Sequence, residues 1–373
     1  MIKRILFLLS IVIIISCSGD DHSNRHVTEE TQKFYKGMDL SFQSELDSYN
    51  IQYKDQNNNA IDLLDYVTSK GSNLIRLRLW HTPEGGFNSL EKVKQYALKI
   101  KSTGADFLLD IHYSDTWADP ANQEPPLFWS TLTNSEIKNA IYEYTKKVIS
   151  ELKEQGTTPT IVQIGNETNS GFLWDYGKIW NEFDNNWLQY IALSNTAEKA
   201  VKEIDPNIKT MIHVAGINFA RFFFKKFEES GGNYDIIGLS YYPQFHSKNL
   251  NQIKNDLSFL AVTFNKNILL TEISYPFTFN WNDNLNNFIG DQSQILNEFP
   301  ATPDGQKDYL EWIIKTLKEI PNNKGLGFCY WAPDWVAFEG NENTYSNGSS
   351  WENQCIFDFE HKVLKVIEVF SSD

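Results

Sequence analysis

Eight short apolar runs, each followed closely by polar or aromatic residues, constrain the fold of this chain more than any other feature. Each run has the length of a buried β-strand, and segments with apolar residues at helical spacing lie between them. Alternating strands and helices form a parallel sheet with right-handed crossovers, so eight such units predict a single (β/α)8 TIM barrel. The runs are Phe34–Met38, Leu74–Leu79, Phe107–Ile111, Ile161–Ile164, Thr210–Val214, Ile236–Leu239, Ile268–Leu270 and Leu326–Tyr330.

Helix start and stop signals support this alternation. Thr133 and Glu136 form a capping-box pattern, and Gly104 and Gly156 stand where helices should end. The clearest amphipathic segments are Ser89–Ser102, Ser135–Gln155, Trp187–Ile204 and Gln306–Ile320.

Length and charge restrict the class of function. The chain has 373 residues, 41% of them hydrophobic, which suffices for one elaborated barrel, and we assign residues 32–373 to it. The formal net charge of −15 disfavours nucleic acid as a partner and favours a neutral ligand. Eleven tryptophans suit a sugar-binding cleft, although many of these rings are expected to lie in the core.

The N-terminus resembles a bacterial lipoprotein signal. Lys3 and Arg4 precede an apolar run that is too short to span a bilayer, and Cys17 stands where a lipobox cysteine would be lipidated. We expect a signal peptide over residues 1–16, a lipid-anchored flexible tether over 17–31, and an exported protein held on the outer membrane, at the cell surface. An ordinary cleaved signal peptide is the alternative. Cys329 and Cys355 could pair or remain buried free thiols.

Two carboxylates end the fourth and seventh predicted strands. Glu167 follows Asn166, and Glu272 follows Thr271. In a TIM barrel the C-terminal strand ends form the active-site face, so these carboxylates should meet across the barrel mouth. Glycoside hydrolysis requires such a pair, one to protonate the leaving oxygen and one at the anomeric carbon. Either glutamate alone would more often be a solvated or salt-bridged carboxylate.

Segments along almost the whole mature chain resemble signatures of glycoside hydrolase family 53, the endo-β-1,4-galactanases. The stretch Leu109–Pro120 is close to the most distinctive motif of that family. The other matching segments are Lys36–Ser41, Ile75–Trp80, Val162–Glu167 and Gly348–Gln354. The resemblance implies an endo-acting, retaining hydrolase of β-1,4-galactan and type I arabinogalactan that acts as a monomer without a cofactor.

The resemblance also implies roles for the matched residues. Glu167 would be the general acid and then the base, and Glu272 the nucleophile, with Arg76 as its cationic neighbour. Tyr241 could donate its hydroxyl to Glu272, and Asn166 would bind the 2-hydroxyl of the sugar. The two carboxyl groups should lie roughly 5 to 5.5 Å apart, as in retaining enzymes.

Further cleft residues have less defined roles. Trp331 would form the floor on which the reacting sugar stacks. His112 and His213 could contact substrate or instead orient a carboxylate, and Asp110 could be a structural partner of Arg78. The remaining candidates for substrate binding are Asp39 and Trp117.

No metal is expected. The stretch Asp334–Ser350 is short, and its carboxylates lack EF-hand spacing, so we predict no bound calcium. The Asn-rich stretch Thr278–Phe299 carries Trp281 and Phe288 and is interpreted as a loop that shapes the substrate cleft, with disorder or plain covering as alternatives.

Two other functions were compared with galactan hydrolysis. The same barrel and mechanism could act on another plant β-glycan such as mannan. A non-catalytic surface glycan-binding lipoprotein would be expected to lack one of the two carboxylates, yet both are present. The sequence contains no His-Glu-x-x-His motif and no Gly-rich phosphate loop.

Overall fold

A computed structural model of the protein describes residues 32–180, 186–338 and 348–372. The predicted signal peptide, the tether and Cys17 lie outside these residues, as do Glu339 and Glu342 of the final loop. From Lys33 onward, the described residues form one compact unit.

Eight parallel strands close into a barrel, which confirms the predicted fold. Neighbouring strands pair in chain order, and β8 pairs with β1 to close the ring. Each predicted run coincides with an observed strand, with ends displaced by at most three residues. The strands are β1 Tyr35–Asp39, β2 Leu74–Leu79, β3 Asp106–Ile111, β4 Ile161–Ile164, β5 Lys209–Ala215, β6 Ile236–Tyr241, β7 Asn267–Ile273 and β8 Gly325–Tyr330.

Helices connect the successive strands. Thr133 caps α4 with the predicted capping box, and Gly104 ends α3 in the left-handed conformation. The helices are α1 Gln43–Leu46, α2 Leu63–Ser69, α3 Leu90–Thr103, α4 Asn134–Glu154, α5 Trp187–Ile204, α6 Ile217–Glu229, α7 Leu250–Phe264, α8 Pro303–Lys318 and α9 Glu368–Ser371. The 3-10 turns are Asp47–Tyr49, Leu127–Trp129, Gln292–Gln294, Pro321–Asn323, Glu352–Gln354 and Lys365–Ile367, and two short hairpins pair Tyr53–Lys54 with Ala60–Ile61 and Gly171–Phe172 with Gly177–Lys178.

The barrel interior is apolar toward the N-terminal ends of the strands and polar toward their C-terminal ends. The apolar part is filled by one cluster of buried residues: Tyr35, Leu74, Leu108, Ile161, Met211, Ile236, Leu269, Leu326 and Cys329. A larger apolar layer lies between the strands and the surrounding helices. Polar side chains are therefore concentrated at the C-terminal ends of the strands, where this fold places its active sites.

Register shifts place two of these polar residues side by side. The pairing of β6 with β7 slips between Leu239 and Ser240, so that Ser240 stands opposite Glu272. Bulges of this kind turn side chains toward a functional site.

Both cysteines of the barrel are free and buried, so they do not form the disulfide that the sequence left open. No helix among the described residues is long and apolar enough to cross a membrane.

Candidate active site

A cleft of about 790 Å³ opens at the C-terminal face of the barrel. Nine of the eleven residues predicted for catalysis or substrate binding line it: Asp39, Arg76, Asp110, His112, Trp117, Asn166, Glu167, Glu272 and Trp331. His213 and Tyr241 are absent from the lining, and both are fully buried.

Arg76 is the centre of an ionic cluster on the floor of the cleft. Its Nη1 lies 2.7 Å from Asp39 Oδ2 and 2.9 Å from Glu272 Oε1, and its Nη2 lies 2.7 Å from Asp110 Oδ2. The guanidinium is 1% exposed, so its charge acts on these carboxylates with little screening by water. Asp110 is thus the partner of Arg76, and its predicted pairing with Arg78 is wrong.

Glu272 accepts a hydrogen bond from the hydroxyl of Tyr242, so the prediction that Tyr241 is the donor is wrong. Tyr242 donates to Glu272 Oε2 at 3.0 Å, whereas the Tyr241 hydroxyl donates to the carbonyl of Ser247. Side chains alternate along a strand, so Tyr242 faces the cleft while Tyr241 faces the surrounding helices. Burial raises the pKa of Glu272, and Arg76 and the Tyr242 hydroxyl oppose that rise.

Glu167 stands in a different electrostatic environment. Its backbone adopts a positive φ of 45°, rare for a residue with a side chain, two residues after Gly165 at φ 74°. Ser240 donates to its Oε1 at 2.5 Å, and no Lys, Arg or His among the described residues forms an ion pair with it. Burial, followed by the charge of Glu272, raises the pKa of Glu167 to about 8. At neutral pH Glu167 is therefore mostly protonated.

Asn166 is held by protein contacts and still borders the cleft. Its Oδ1 accepts from Arg76 Nη2 at 2.9 Å and from Gln163 Nε2 at 3.0 Å, and its Nδ2 donates to the carbonyl of Ala118 at 2.8 Å. An amide nitrogen carries two hydrogens, so one of them remains available to a sugar hydroxyl.

Both predicted histidines orient other polar groups. His112 Nδ1 accepts from the Trp80 indole and from the backbone of Ala118, each at 3.2 Å, so its Nε2 donates to Asp110 at 3.0 Å. His213 lies beneath Asn166, and its Nε2 is 2.9 Å from Ser240 Oγ. These contacts favour the orienting interpretation of both residues over direct substrate contact.

Aromatic rings form the walls of the cleft. Trp331 meets Trp351 edge to face, with 4.7 Å between ring centroids, and Trp335 stacks at 4.1 Å on Phe42, which is not itself a lining residue. Flat sugar faces can stack on such rings. Phe288 of the Asn-rich loop also borders the cleft and is 42% exposed, whereas Trp281 does not border it.

Arg78 lies between two aromatic rings, those of Trp117 and Phe42. Its guanidinium carbon is 3.9 Å from the centroid of Trp117 and 4.3 Å from that of Phe42, a double cation–π arrangement. Its Nε and Nη1 have no hydrogen-bond partner among the described residues. Burial lowers the pKa of Arg78 to about 10, so it remains charged at neutral pH.

Sequence reasoning missed several residues at this site. Ser240 near the end of β6 and Tyr242 just after it lie two positions apart and face the same side, and continued strand alternation beyond the apolar run was the signal for them. Trp335, Phe245 and His246 lie in loops whose path no local pattern indicates. Within the three described ranges, no group of three or more His, Cys, Asp or Glu residues is arranged to hold a metal ion.

Comparison with known proteins agrees with this geometry. A family model described as glycosyl hydrolase family 53 matches residues 35–370. The arabinogalactan endo-beta-1,4-galactanase of Cellvibrio japonicus is 34% identical over 347 residues, which cover 91% of this chain and 90% of that protein. The GH53 catalytic domain of Ignisphaera aggregans superimposes with a TM-score of 0.85 at 34% identity, over 91% of this chain and 95% of that one. A fungal beta-1,4-galactanase structure gives a TM-score of 0.79 at 26% identity, over 90% and 98%.

Proposed function

Because this chain belongs to glycosyl hydrolase family 53 and is a glycoside hydrolase, we propose that it is an endo-acting enzyme that cleaves β-1,4-galactosidic bonds in galactan and type I arabinogalactan. We propose further that it acts by double displacement with retention of anomeric configuration. The names of its relatives support the substrate, and the open cleft with aromatic walls suits the middle of a polysaccharide chain.

One observation carries the mechanism: the two glutamates of the cleft differ in their charged partners. Glu272 has Arg76 at 2.9 Å and a tyrosine hydroxyl at 3.0 Å, which favour its ionised form. Glu167 has no paired cation within the described part of the chain and faces the charge of Glu272, which favours its protonated form. Two carboxyl groups with such different environments are suited to the roles of nucleophile and acid.

In the first step, Glu272 attacks the anomeric carbon while Glu167 gives its proton to the oxygen that leaves. In the second step, Glu167, now ionised, takes a proton from the water that attacks the same carbon and releases Glu272. Asn166 would hold the 2-hydroxyl, and Trp331 would support the reacting ring. The roles of Asp39, Asp110, His112 and His213 would be to orient Arg76 and the two glutamates.

The test is product release from linear β-1,4-galactan by residues 22–373, compared with Glu167→Gln and Glu272→Gln. We expect short galacto-oligosaccharides from the wild type. Loss of the general acid should reduce the rate by about 10²- to 10⁴-fold, and loss of the nucleophile should remove nearly all activity. Since Glu167 must be protonated and Glu272 ionised, activity should fall as pH rises through the pKa of Glu167, and also in acid as Glu272 becomes protonated.

Other results would change the proposal in defined ways. Cleavage of mannan but not of galactan would retain the mechanism and replace the substrate. Binding of galactan without cleavage would favour a glycan-binding protein. NMR of the first products reports their anomeric configuration. Inversion at the anomeric carbon would contradict double displacement.

We also propose that the enzyme is exported, lipidated at Cys17 and held on the outer membrane as a monomer. The basic and apolar N-terminal run and the small residue before Cys17 support this proposal. The several acyl chains of a bacterial lipoprotein give firm anchoring, where a single chain gives only marginal binding.

A further inference from the structure

A line of hydrogen bonds runs beneath the cleft from Arg76 to Glu167. Arg76 Nε donates to Gln163 Oε1 at 3.2 Å, and Gln163 Nε2 lies 3.0 Å from His213 Nδ1. His213 Nε2 lies 2.9 Å from Ser240 Oγ, which donates to Glu167 Oε1 at 2.5 Å. The intermediate residues come from β4, β5 and β6, and all three are fully buried.

The direction of these bonds follows from the chemistry of their ends. Arg76 can only donate, so it holds the oxygen of Gln163 and turns the amide nitrogen toward His213. Ser240 donates its single proton to Oε1 of Glu167, and an ionised Glu167, as in the second step, can only accept it. Because the hydroxyl proton of Ser240 is donated to Glu167, the Ser240 oxygen can only accept from His213. Nε2 of His213 therefore carries the proton and is the donor.

The second nitrogen of His213 agrees with this assignment. Nδ1 receives the Gln163 amide and also faces the backbone N–H of Glu167 at 3.4 Å, as an unprotonated nitrogen should. Asn166 Oδ1 is also 2.9 Å from Nδ1, but that oxygen already accepts from Arg76 and Gln163. Burial, then the charges of Arg76 and His112, lower the pKa of His213, so the ring stays neutral.

We propose that Gln163, His213 and Ser240 are positioning residues that reserve Oε1 of Glu167 as a permanent acceptor, so that the transferable proton is carried on Oε2. The proposal rests on the acid/base role given to Glu167 above. The proton leaves Oε2 for the glycosidic oxygen in the first step and returns to Oε2 from water in the second. Ser240 donates to Oε1 throughout, and bonds that all run in one direction strengthen one another.

This arrangement has a consequence for the second step. The charged groups around Glu167 are Glu272 on β7, Asp119 after β3 and Arg76 on β2, with neutral His213 and Tyr242 beside them. Burial and Glu272 raise the pKa of Glu167, and the Ser240 hydroxyl is the leading opposing contact. Without that contact the pKa of Glu167 would be higher, so near neutral pH a smaller fraction of Glu167 would be ionised and able to take a proton from water.

Ser240→Ala tests the proposal. Loss of a hydrogen bond to a charged group should raise the pKa of Glu167 by on the order of one unit, so the alkaline limb of kcat/KM on galactan should move to higher pH. With an aryl β-galactoside whose good leaving group needs no acid, kcat should fall several-fold and kcat/KM should change little. A substitution that only disturbed the structure would lower both kcat and kcat/KM and would not shift the pH profile.

Ser194→Ala is the matched control, because Ser194 is also fully buried but lies on α5 with no hydrogen-bond partner for its hydroxyl among the described residues. It should leave the profile unchanged. His213→Asn should shift the profile in the same direction as Ser240→Ala, and its effect should disappear in the double variant because it acts through the serine.

Carboxyl ¹³C NMR gives a readout that does not depend on activity. The Glu167 signal, assigned by its absence in Glu167→Gln, should titrate at higher pH in Ser240→Ala than in the wild type. An unchanged pKa would overturn the proposal even in an active enzyme. A wild type that does not cut galactan, with a shifted pKa in Ser240→Ala, would refute the proposed substrate and retain the hydrogen-bond line.

Discussion

Two adjacent tyrosines show how much a single position matters at the end of a barrel strand. Tyr241 packs outward near Trp312, with 6.3 Å between ring centroids, while Tyr242 reaches into the cleft and contacts Glu272. Both tyrosines follow an apolar run that ends at Leu239. The pattern of that run does not tell which way the side chains beyond Leu239 point. Ser240, which contacts Glu167, identifies the inward side, and Tyr242 lies two positions later on the same side.

Tyr242→Phe should therefore change catalysis, and Tyr241→Phe should not. Removing the Tyr242 hydroxyl takes a donor from ionised Glu272 and raises the pKa of that carboxyl, so the acidic limb of the pH–rate profile should move to higher pH. The rate at neutral pH should fall by about tenfold or more, as for the loss of a hydrogen bond to a charged group. The measurement is kcat/KM on galactan across pH.

Tyr241→Phe is the natural control for that experiment. It removes a buried hydroxyl that contacts the carbonyl of Ser247, so it should lower the melting temperature slightly with an unchanged pH profile. Equal kinetic effects of the two substitutions would contradict the assignment of Tyr242.

At the scale of elements, the alternation of strands and helices was predictable because each barrel strand is buried on both sides and appears as a continuous apolar run. Glu167, Glu272 and Arg76 were predictable as well, since each is carried by a strand whose end the pattern fixes. The contact of Ser240 with Glu167, 73 positions away, and the bulge that sets Ser240 opposite Glu272 depend on packing between strands. No local pattern contains that information.

The N-terminus of α4 offers a test of local structure away from the cleft. Glu136 Oε2 accepts from the Thr133 backbone at 2.8 Å, and Thr133 Oγ1 accepts from the Glu136 backbone at 3.4 Å. Thr133→Ala should reduce the free energy of unfolding by about 1 kcal/mol, the usual effect of losing an N-cap side chain, and leave galactan cleavage unchanged. Denaturant unfolding measures the effect, and Thr133→Ser, which keeps the hydroxyl, should retain most of the stability.

At the scale of the whole molecule, the proposed attachment to a membrane depends on one residue outside the barrel. Cys17→Ala removes the thiol to which lipid would be attached. In cells expressing the full chain, we expect the wild type in the membrane fraction and the variant released, with equal specific activity because the described residues that line the cleft lie between Asp39 and Trp351. A wild type found only in the soluble fraction would support a cleaved signal peptide.

The closure of the barrel joins the beginning of the chain to its end. Tyr35 of β1 pairs with Gly327 of β8, and the amine of Lys36 donates to the carbonyls of Val369 and Phe370. A ribosome makes β1 first and its last partner nearly three hundred residues later, so one edge of the growing sheet stays open for almost the whole of synthesis. A chain that lacks β8, whether unfinished or truncated, cannot close the barrel. For the exported enzyme that we propose, the barrel therefore cannot close before β8 has been synthesised.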